Sequence, residues 1–480
     1  MKTLEKIVAL IGDNTGLILT VLIFLVGIFF TIRFRGGQAR YLGKGMKCLF
    51  SEEEGAKGDV SSFGAFCTAL SATIGTGNIV GVATAICAGG PGALFWMVIA
   101  AVFGMATKYA ECLLAVKYRK QKEDGSYVGG PFLYIENGMG KKWKWLAVFF
   151  AVCGILCCLM GVGSFSQINS MSSALNVMIP SKVAFSISGT PITWTVIIGG
   201  FLLAVVVALV ILGGIKSIAK VSEIVVPFMA VLYIVFCLLV LGSNVTALPE
   251  AFRQIVVGAF NPKAISGGAI GTFIVAMQKG VSRGIFSNEA GLGSAPIASA
   301  AAKTNSCVRQ GLIGMTGVFF DTIIICLLTG LTIVVTGAWN IGLEGFDVTA
   351  HAFTQALDFL PEKLVTSMLS ICLIFFAFTT ILGWSYYGER CLSYLVGEKK
   401  KYSLIFKIVH IVLIFIGPYL TVSLVWNVAD VLNSFMAFPN LIALIVLSGV
   451  VIKETKEYFG KKKSIQENLK EEIIQDESAK

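Results

Sequence analysis

The sequence ALSATIGTGNIVG, residues 69–81, lies within a run of 48 residues without a charged side chain, from Val60 to Thr107. A helix needs about 20 residues to cross the ~30 Å hydrocarbon core of a bilayer, so this run is long enough for two membrane spans. The sequence Gly89-Gly90-Pro91-Gly92 predicts a turn between them.

The first of these two spans contains polar residues and glycines where a membrane helix is usually apolar: Ser71, Thr73, Gly75, Thr76, Gly77 and Asn78. A glycine weakens a helix by about 1 kcal/mol, and an unpaired backbone group in lipid costs several kcal/mol, so backbone that opens here must line protein or water. We therefore expect an interrupted helix of the kind with which transporters hold ions and anionic groups. The glycines alone also fit a close contact between two helices; the interleaved Thr76 and Asn78 favour the interruption.

The composition sets the class of protein. Of 480 residues, 56% are hydrophobic and 14% charged, and the mean hydropathy is +0.81. These values predict an all-α integral membrane protein in a lipid bilayer with no sizeable soluble domain. The 12 cysteines lie mostly in apolar runs and the chain has 2 histidines, so we interpret the cysteines as reduced core residues and expect no cofactor.

Eleven spans account for the apolar segments. The first is a retained helix rather than a signal peptide, because Arg33 and Arg35 follow it and no small-residue cleavage site is present. The predicted spans are about Gly16–Ile32, Val60–Ala88, Ala93–Val116, Trp145–Ala174, Ile192–Gly213, Val221–Leu241, Ile265–Ala302, Gly311–Thr336, Leu364–Leu392, Leu404–Thr421 and Val425–Ile452.

Lysine and arginine predict the orientation. With the N-terminus outside, the basic residues concentrate in inner segments at 33–57, 117–144, 390–407 and 453–480, whereas the outer side holds only Lys2, Lys6, Lys182, Arg253, Lys263 and Lys363. The C-terminus is then cytoplasmic and the chain lies in the cell membrane. Basic loops facing an anionic leaflet explain the net charge of +10 without nucleic acid as a partner.

A second interrupted helix is predicted in Ile265–Ala302, which contains Gly267, Gly268, Gly271 and Gly280. Without the first helix, ten spans divide into five and five, and the interrupted span comes first in each half. An odd number of spans per half turns the second half over, which gives an inverted repeat, and matching interruptions point to a substrate site. The chain then divides into 1–58 with the extra helix, a first repeat at 59–242, a second repeat at 243–455, and a charged tail at 456–480.

Four motifs carry a resemblance to a known family: GTGNI at 75–79, GGPGA at 89–93, GVSRG at 280–284 and SNEAG at 287–291. Over about residues 15–455 the chain resembles the alanine/glycine:cation symporter family. The resemblance implies a LeuT-type fold of five plus five helices with one extra N-terminal helix. It also implies sodium-coupled uptake of alanine or glycine, with proton coupling for some relatives.

The candidate substrate site is built around the first interruption. Backbone amides at Gly75–Asn78 would supply donors to a substrate carboxylate, helped by the helix-end charge, and the side chains of Thr76 and Asn78 would add polar groups. Asn78 also fits an ordinary hydrogen bond between helices. Further candidates on other spans are Gln167, Gly271, Phe273, Ile274, Met277, Thr380 and Trp384. The four on the second interrupted helix individually also fit ordinary packing, and a tryptophan such as Trp384 also fits an aromatic belt at the membrane interface, although Trp384 lies within its predicted span. The resemblance favours Gln167 as a pocket residue, and Asn169 is interpreted as structural.

The candidate sodium site contains the adjacent threonines Thr379 and Thr380, because sodium prefers hard oxygen ligands. Such a pair can instead bond to carbonyls of its own helix. The resemblance favours sodium, and it implies that the carbonyls of Ser71, Ile74 and Phe376 complete the site.

Charged residues within spans are functional candidates by default. Asp321 is the one acid deep within a predicted span; it either pairs with Lys279, Arg283 or Lys108 or takes part in coupling. We expect Glu111 and Lys108 to form a structural pair. We place Lys279, Arg283 and Glu289 after the second break, along the inner exit path, where they form either a gate or a network of salt bridges.

The function predicted from these features is secondary active transport, specifically sodium-coupled symport of alanine or glycine by a monomer. The runner-up is a proton-coupled porter or a porter for a larger amino acid such as glutamine. A channel would need a continuous polar path, and an enzyme would need a recognisable acid, base or metal set. A non-transporting amino-acid sensor could share the same fold.

Overall fold

The computed structural model describes residues 2–187, 190–260, 269–397, 399–420 and 422–460. The helices, in chain order, are α1 Lys2–Arg33, α2 Gly37–Arg40, α3 Leu42–Phe50, α4 Ser62–Thr73, α5 Val80–Gly89, α6 Gly92–Lys117, α7 Pro131–Leu133, α8 Lys144–Met160, α9 Phe165–Met178, α10 Trp194–Ile211, α11 Gly214–Ser243, α12 Leu248–Phe260, α13 Ala269–Asn288, α14 Ala295–Ser299, α15 Cys307–Val318, α16 Leu327–Thr336, α17 Phe346–Ala356, α18 Glu362–Val396, α19 Lys400–Ile416 and α20 Val422–Val446. Single 3-10 turns occupy Thr76–Asn78, Lys141–Trp143, Val245–Ala247, Ala338–Asn340 and Gly417–Tyr419, and π-helical turns occupy Tyr134–Met139 and Phe319–Cys326.

Two short antiparallel hairpins lie in connections between helices. Strand β1 (Lys120–Gln121) pairs with β2 (Tyr127–Val128) after α6. Strand β3 (Val183–Ile187) pairs with β4 (Thr190–Thr193) before α10. Neither hairpin was predicted from the sequence.

Eight helices in the described residues are long and apolar enough to cross a membrane, and the bent pair α4–α5 makes nine. Their outer surfaces are apolar: on α10, for example, Leu209 is 72% exposed and Phe201 is 58% exposed. Apolar surface of this extent is incompatible with water and fits lipid. The prediction of a helical, multi-pass membrane protein is therefore confirmed.

Local sequence explains where several helices begin and end. The side-chain oxygen of Ser61 accepts a hydrogen bond from the amide of Gly64 at the start of α4, and Ser306 does the same for Arg309 at the start of α15. Such caps satisfy amides that have no partner within the helix. At the end of α16, Gly337 adopts a left-handed conformation with φ 70°, which terminates the helix.

The first interruption lies where the sequence analysis placed it. Helix α4 ends at Thr73, Ile74 is extended, Thr76–Asn78 forms a 3-10 turn, and α5 begins at Val80. The two helical segments meet at an angle of 59°. At Gly75, a Cβ atom would lie 2.5 Å from Oγ1 of Thr380, so a glycine is needed for the Thr380 side chain to come this close to the backbone of the break.

The second interruption lies later than we expected. Helix α13 is continuous from Ala269 to Asn288, and the break follows at 289–294, where Glu289, Gly291 and Gly293 have positive φ. Lys279 and Arg283 therefore precede the break at 289–294. The part of the predicted break at 265–268 lies outside the described residues.

Two glycines of α13 serve close packing instead of ending the helix. A Cβ atom at Gly280 would clash with the carbonyl oxygen of Ala93 in α6, and one at Gly284 would lie 3.1 Å from the side chain of Met97. Small residues four apart let two membrane helices approach closely. The glycine pattern is thus compatible with either a helix break or close helix packing, and at Gly280 the structure shows close packing.

Two further irregular segments were not predicted. The predicted span Trp145–Ala174 is divided between α8 and α9 by residues 161–164, and π-helical geometry at Phe319–Cys326 separates α15 from α16. A π turn inserts an extra residue into a helix and is common at functional sites. The second irregularity surrounds Asp321.

Four segments of the chain meet at one end of the molecule. We call this the basic end and define it by residues 41–60, 117–128, 300–309 and 453–459. Val60, before α4, pairs with Ala302, after α14, in a parallel bridge. The guanidinium of Arg119 donates hydrogen bonds of 2.7–2.9 Å to the carbonyls of Lys57, Ala300, Ala302 and Thr304. Arg119 therefore clamps the entry to α4 onto the exit from α14.

Replacement of Gly280 by alanine should destabilise the protein, because the added methyl group has no space beside the backbone of α6. Overpacking of this kind costs about 1–3 kcal/mol, so the melting temperature of the purified protein should fall. Gly81→Ala is the matched control: Gly81 is also a buried helical glycine, but a Cβ there meets nothing within 4 Å. Equal melting temperatures for the two variants would contradict the packing role of Gly280.

Candidate binding site between the interrupted helices

The centre of the molecule is a buried cluster around the carboxylate of Asp321. Its Oδ1 accepts a hydrogen bond of 2.8 Å from the side-chain amide of Asn78. Its Oδ2 accepts hydrogen bonds of 2.8 Å from Ser287 and 2.7 Å from Thr322. Asp321 is fully buried, so these donors replace the water that a carboxylate requires.

Asp321 thus connects the two interrupted helices, since Asn78 belongs to the first and Ser287 to the second. The sequence analysis left its partner open among Lys279, Arg283 and Lys108. The hydrogen bonds that the structure gives Asp321 come instead from polar neutral side chains. From the sequence, Ser287 was noted only as part of the SNEAG motif. The signal that could have identified it as a partner is its position as a serine near the end of an apolar helix.

Asn78 also stabilises the first break itself. Its Oδ1 accepts a hydrogen bond of 2.9 Å from the amide of Gly75, while its Nδ2 is held by Asp321. The amide side chain therefore satisfies a backbone group that the break has freed, as membrane-embedded backbone requires.

Gln167 approaches the same break from α9. Its Oε1 lies 3.2 Å from the amide nitrogen of Thr76, and its Nε2 lies 3.1 Å from the carbonyl of Val162. The hydroxyl of Thr76 is buried and has no hydrogen-bond partner among the described residues. Asn169 instead donates to the carbonyl of Leu420. The side-chain carbonyl of Gln167 and the hydroxyl of Thr76, which has no partner in the described part of the chain, thus both lie at the break.

An oxygen cluster lies beside this group. Oγ1 of Thr380, on α18, lies 3.3 Å from the carbonyl oxygen of Ile74 and 3.0 Å from that of Phe376. A hydroxyl and two carbonyls are ligands that an alkali cation prefers. Thr380 therefore brings α18 to the open end of α4 with oxygen atoms only.

The other two members of the predicted sodium set are placed differently. Oγ1 of Thr379 lies 3.1 Å from the carbonyls of Phe375 and Phe376, and 3.4 Å from Sδ of Met229 on α11. Thr379 shares the Phe376 carbonyl with Thr380, but it does not bond to α4. The hydroxyl of Ser71 donates to the carbonyl of Thr68, and it lies 2.9 Å from the position of a Cβ at Gly383 of α18.

Trp384 lies one turn beyond Thr380 and is fully buried. Its indole Nε1 donates a hydrogen bond of 2.8 Å to Oε1 of Glu289, and Ser294 donates to the other oxygen of that carboxylate. The indole thus contacts the second break rather than a membrane interface. The sequence analysis predicted Trp384 as a pocket residue but did not predict its bond to Glu289.

The other candidates on α13 lie away from the first break. Phe273 packs edge-on against Trp96 with ring centroids 5.5 Å apart, and Ile274 is 43% exposed. Met277 packs against the main core, and Gly271 lies in the first turn of α13. Ala276 lies 3.0 Å from a Cβ position at Gly89, so this part of α13 is beside the far end of α5, about 15 Å from Val80.

The part of α13 that does approach the first break is its C-terminal turn. A Cβ at Gly77 would lie 3.3 Å from the ring of Phe286 and from the Cα atom of Ser287. The structure therefore brings Phe286 and Ser287 to the position at which we had expected Phe273, Ile274 and Met277. Continuity of α13 to Asn288 causes this difference of about three turns.

The backbone of the second break is satisfied by charged side chains of α6. Oε1 of Glu111 accepts hydrogen bonds from the amides of Gly291 (3.0 Å) and Gly293 (3.2 Å), and from the side chain of Asn440. Nζ of Lys108 donates to the carbonyl of Glu289 at 3.1 Å. The described residues show no ion pair between Lys108 and Glu111, so the predicted pair is corrected: each side chain bonds to a different group of the break.

Arg283 has its own partner. Its guanidinium forms a two-pronged ion pair with Asp430 of α20, with distances of 3.2 and 3.1 Å. Lys279 lies beside Gly89, 3.4 Å from a Cβ position there. Both residues therefore lie toward the α5–α6 turn, at the opposite end of α6 from the basic end, and their placement along an inner exit path stays a prediction.

Comparison with known proteins agrees with this architecture. Residues 1–472 match the sodium:alanine symporter family. The chain belongs to that family. The resemblance found in the sequence motifs is therefore confirmed.

Relatives of the family cover almost the whole chain. The chain is 50% identical over 96% of its length to an uncharacterized transporter of Haemophilus influenzae, covering 97% of that protein. It is 46% identical over 92% of its length to the sodium/alanine symporter AgcS of Methanococcus maripaludis, covering 94% of that protein. It is 37% identical over 96% of its length to the probable sodium/glutamine symporter GlnT of Bacillus subtilis, covering 92% of that protein.

The solved structure of another protein resembles this fold at low sequence identity. The crystal structure of MhsT in complex with L-phenylalanine matches with a TM-score of 0.54 and 14% identity, over 83% of this chain and 98% of that one. The match supports a LeuT-like fold. Membership of the sodium:alanine symporter family makes the chain a transporter and confirms the prediction that it is not an enzyme.

Replacement of Asp321 by asparagine should strongly reduce sodium-dependent alanine uptake in proteoliposomes. The variant removes the negative charge that accepts hydrogen bonds from three side chains, and it places an NH₂ group against hydroxyl donors. A hydrogen bond to a charged group contributes about 1.5–3 kcal/mol, so we expect uptake to fall about tenfold to a hundredfold. Asp347→Asn, at the exposed start of α17, is the control, and full activity of Asp321→Asn would exclude this linking role.

Proposed function

We propose that this member of the sodium:alanine symporter family couples one site for sodium to one site for alanine or glycine at the first break, and that it transports both by alternating access. The observation that carries the proposal is the meeting of two kinds of group at that break. The carbonyl of Ile74 and the hydroxyl of Thr380 face each other on one side, and the unpaired hydroxyl of Thr76 lies on the other, next to Gln167.

The proposed sodium ligands are the carbonyls of Ser71, Ile74 and Phe376 and the hydroxyls of Thr379 and Thr380. Thr380 already contacts two of these carbonyls. To bind sodium, the two hydroxyls would turn their protons away from these carbonyls and coordinate the ion through oxygen lone pairs, so no formal anion would have to be buried. The shared carbonyl of Phe376 supports the inclusion of Thr379.

The proposed substrate site uses Gly75, Thr76, Gly77, Asn78 and Gln167. A zwitterion needs donors for its carboxylate and acceptors for its ammonium group. The Thr76 hydroxyl offers a donor, and a bound carboxylate would replace Asn78 and Gln167 as the acceptor for the amides of Gly75 and Thr76, which would release Oε1 of Gln167 as an acceptor for the ammonium group. Trp384 and Thr380 would bound the site on the α18 side, with Gly271, Phe273, Ile274 and Met277 contributing only after α13 moves.

Alternating access would use the links between the two interrupted helices. Asp321 joins the first break to α13, and Trp384 joins α18 to the second break through Glu289. A ligand that changes the geometry of Gly75–Asn78 would therefore act on both helices through hydrogen-bonded contacts. One sodium ion crossing 100 mV supplies about 2.3 kcal/mol, which supports roughly 50-fold accumulation of a neutral zwitterion.

We further propose eleven spans with the N-terminus outside and a monomer as the transport unit. Helix α1, with its apolar segment Ile18–Arg33, and α13 would add to the nine spans defined by length and hydropathy. Helix α13 falls short in hydropathy because it carries Lys279 and Arg283, which face the protein rather than lipid. The gathering of basic segments at one end supports a cytoplasmic position for that end.

Replacement of Thr380 by alanine should abolish the stimulation of alanine binding by sodium, because it removes the hydroxyl that joins α18 to Ile74. Thr379→Ala should weaken the stimulation less, and the double variant should abolish it. The control is Thr366→Ala, which removes an exposed hydroxyl that bonds only to carbonyls of α18 itself. Binding measured in sodium and in choline buffer distinguishes these cases, and unchanged stimulation in Thr380→Ala would reject the proposed ion site.

Replacement of Trp384 by leucine should widen the substrate range toward larger amino acids such as glutamine. Trp384→Phe separates size from hydrogen bonding, since it retains an aromatic ring but loses the bond to Glu289. We expect Trp384→Phe to keep the preference for alanine and glycine. Competition of radiolabelled alanine uptake by a panel of amino acids provides the measurement, and an unchanged panel for Trp384→Leu would remove Trp384 from the pocket.

A further inference from the structure

A cavity of about 300 Å³ opens where α10, α18 and α19 meet the loop of the first hairpin. Five basic side chains line it: Lys122, Arg390, Lys399, Lys400 and Lys407. Two acidic side chains, Asp124 and Glu389, also line it. The described side chains that line the cavity therefore carry a formal excess of three positive charges, and Lys122 and Asp124 place it on the same side as the basic end.

The charges at the base of the cavity are held in place rather than dispersed in solvent. Lys407 is only 8% exposed, and its Nζ lies 3.1 Å from Oε1 of Glu389. The guanidinium of Arg390 lies 3.9 Å from the same oxygen, and Ser403 donates a hydrogen bond to it. One carboxylate thus orients two cations and does not neutralise both.

Arg390 has unused hydrogen-bonding capacity. Its Nε is buried and has no hydrogen-bond partner among the described residues, while the guanidinium lies 5.3 Å from the ring centroid of Tyr386. A planar guanidinium with free donors is suited to the oxygens of a phosphate group. The largely buried side chains of Arg390 and Lys407 distinguish the cavity from a set of solvated surface lysines.

The rim of the cavity is apolar and continues onto the lipid-facing surface. Leu212 is 55% exposed, Leu404 48% and Val396 37%. Beyond them, α10 exposes Leu209 and α19 exposes Ile408. A charged base with an apolar rim, at the end of two membrane helices, matches a molecule that has an anionic head and a hydrocarbon tail.

We propose that this cavity binds the phosphate head group of an anionic phospholipid. Basic pockets between membrane helices on the positively charged side are suited to such head groups. Soluble phosphate shares the same charge chemistry, but it would make no use of the apolar rim. The site is separate from the ion and substrate groups at the first break, so the bound lipid would act on α18 from its C-terminal end.

The test is native mass spectrometry of the full-length protein with phosphatidylglycerol, phosphatidylcholine of the same acyl chains, or inorganic phosphate. The wild-type protein should retain phosphatidylglycerol in preference to phosphatidylcholine. The double variant Lys399→Gln, Lys400→Gln should bind phosphatidylglycerol about 30-fold more weakly, since each basic residue near the surface contributes roughly a factor of five. Leu404→Ser should weaken binding of the lipid but not of phosphate.

The matched control is Lys141→Gln, Lys142→Gln, which removes two adjacent exposed lysines outside this cavity. It should retain phosphatidylglycerol binding. Equal loss in both double variants, or no loss in either, would overturn the site. Displacement of the lipid by inorganic phosphate, together with lipid binding that Leu404→Ser leaves unchanged, would overturn the assignment to a lipid. Equal melting temperatures of all variants in phosphatidylcholine would show that each has folded.

Discussion

The structure depends on one constraint: backbone groups freed by a broken helix inside a membrane need partners within the protein. At the first break, Asn78 supplies an acceptor to the amide of Gly75. At the second break, Glu111 supplies an acceptor to Gly291 and Gly293, while Lys108 supplies a donor to Glu289. These charged and polar side chains lie inside the protein because the alternative, unpaired peptide groups in lipid, would cost more.

The same constraint explains why a few oxygen atoms remain available for ligands. Most freed groups at the first break are used by Asn78, Gln167 and Thr380. The hydroxyl of Thr76 is left over among the described residues. A binding site that must also release its ligand benefits when only some of its polar groups are hydrogen-bonded within the protein. If all of them were bonded, none would be free for a ligand, and if none were bonded, the site would not stay open.

The sequence was informative where composition and spacing allow one interpretation. Length, hydropathy and charge predicted a multi-pass helical protein, and the glycines and polar residues at 71–78 predicted the position of the first break. The second break was misplaced because Gly280 and Gly284 look alike in a sequence whether they end a helix or pack against a neighbour. Only the contact with Ala93 distinguishes the two. The partners of Asp321, Glu289 and Glu111 could not be predicted either, since each lies on a different helix and is set by tertiary packing.

The clamp at the basic end has a mechanical consequence. The backbone before α4 and the backbone after α14 are joined by a parallel bridge between Val60 and Ala302, and Arg119 fastens both to α6. Helix α4 of the first interrupted helix and helix α14 of the second are therefore mechanically linked at this end. A displacement of either of these helices at that end would therefore be transmitted to the other.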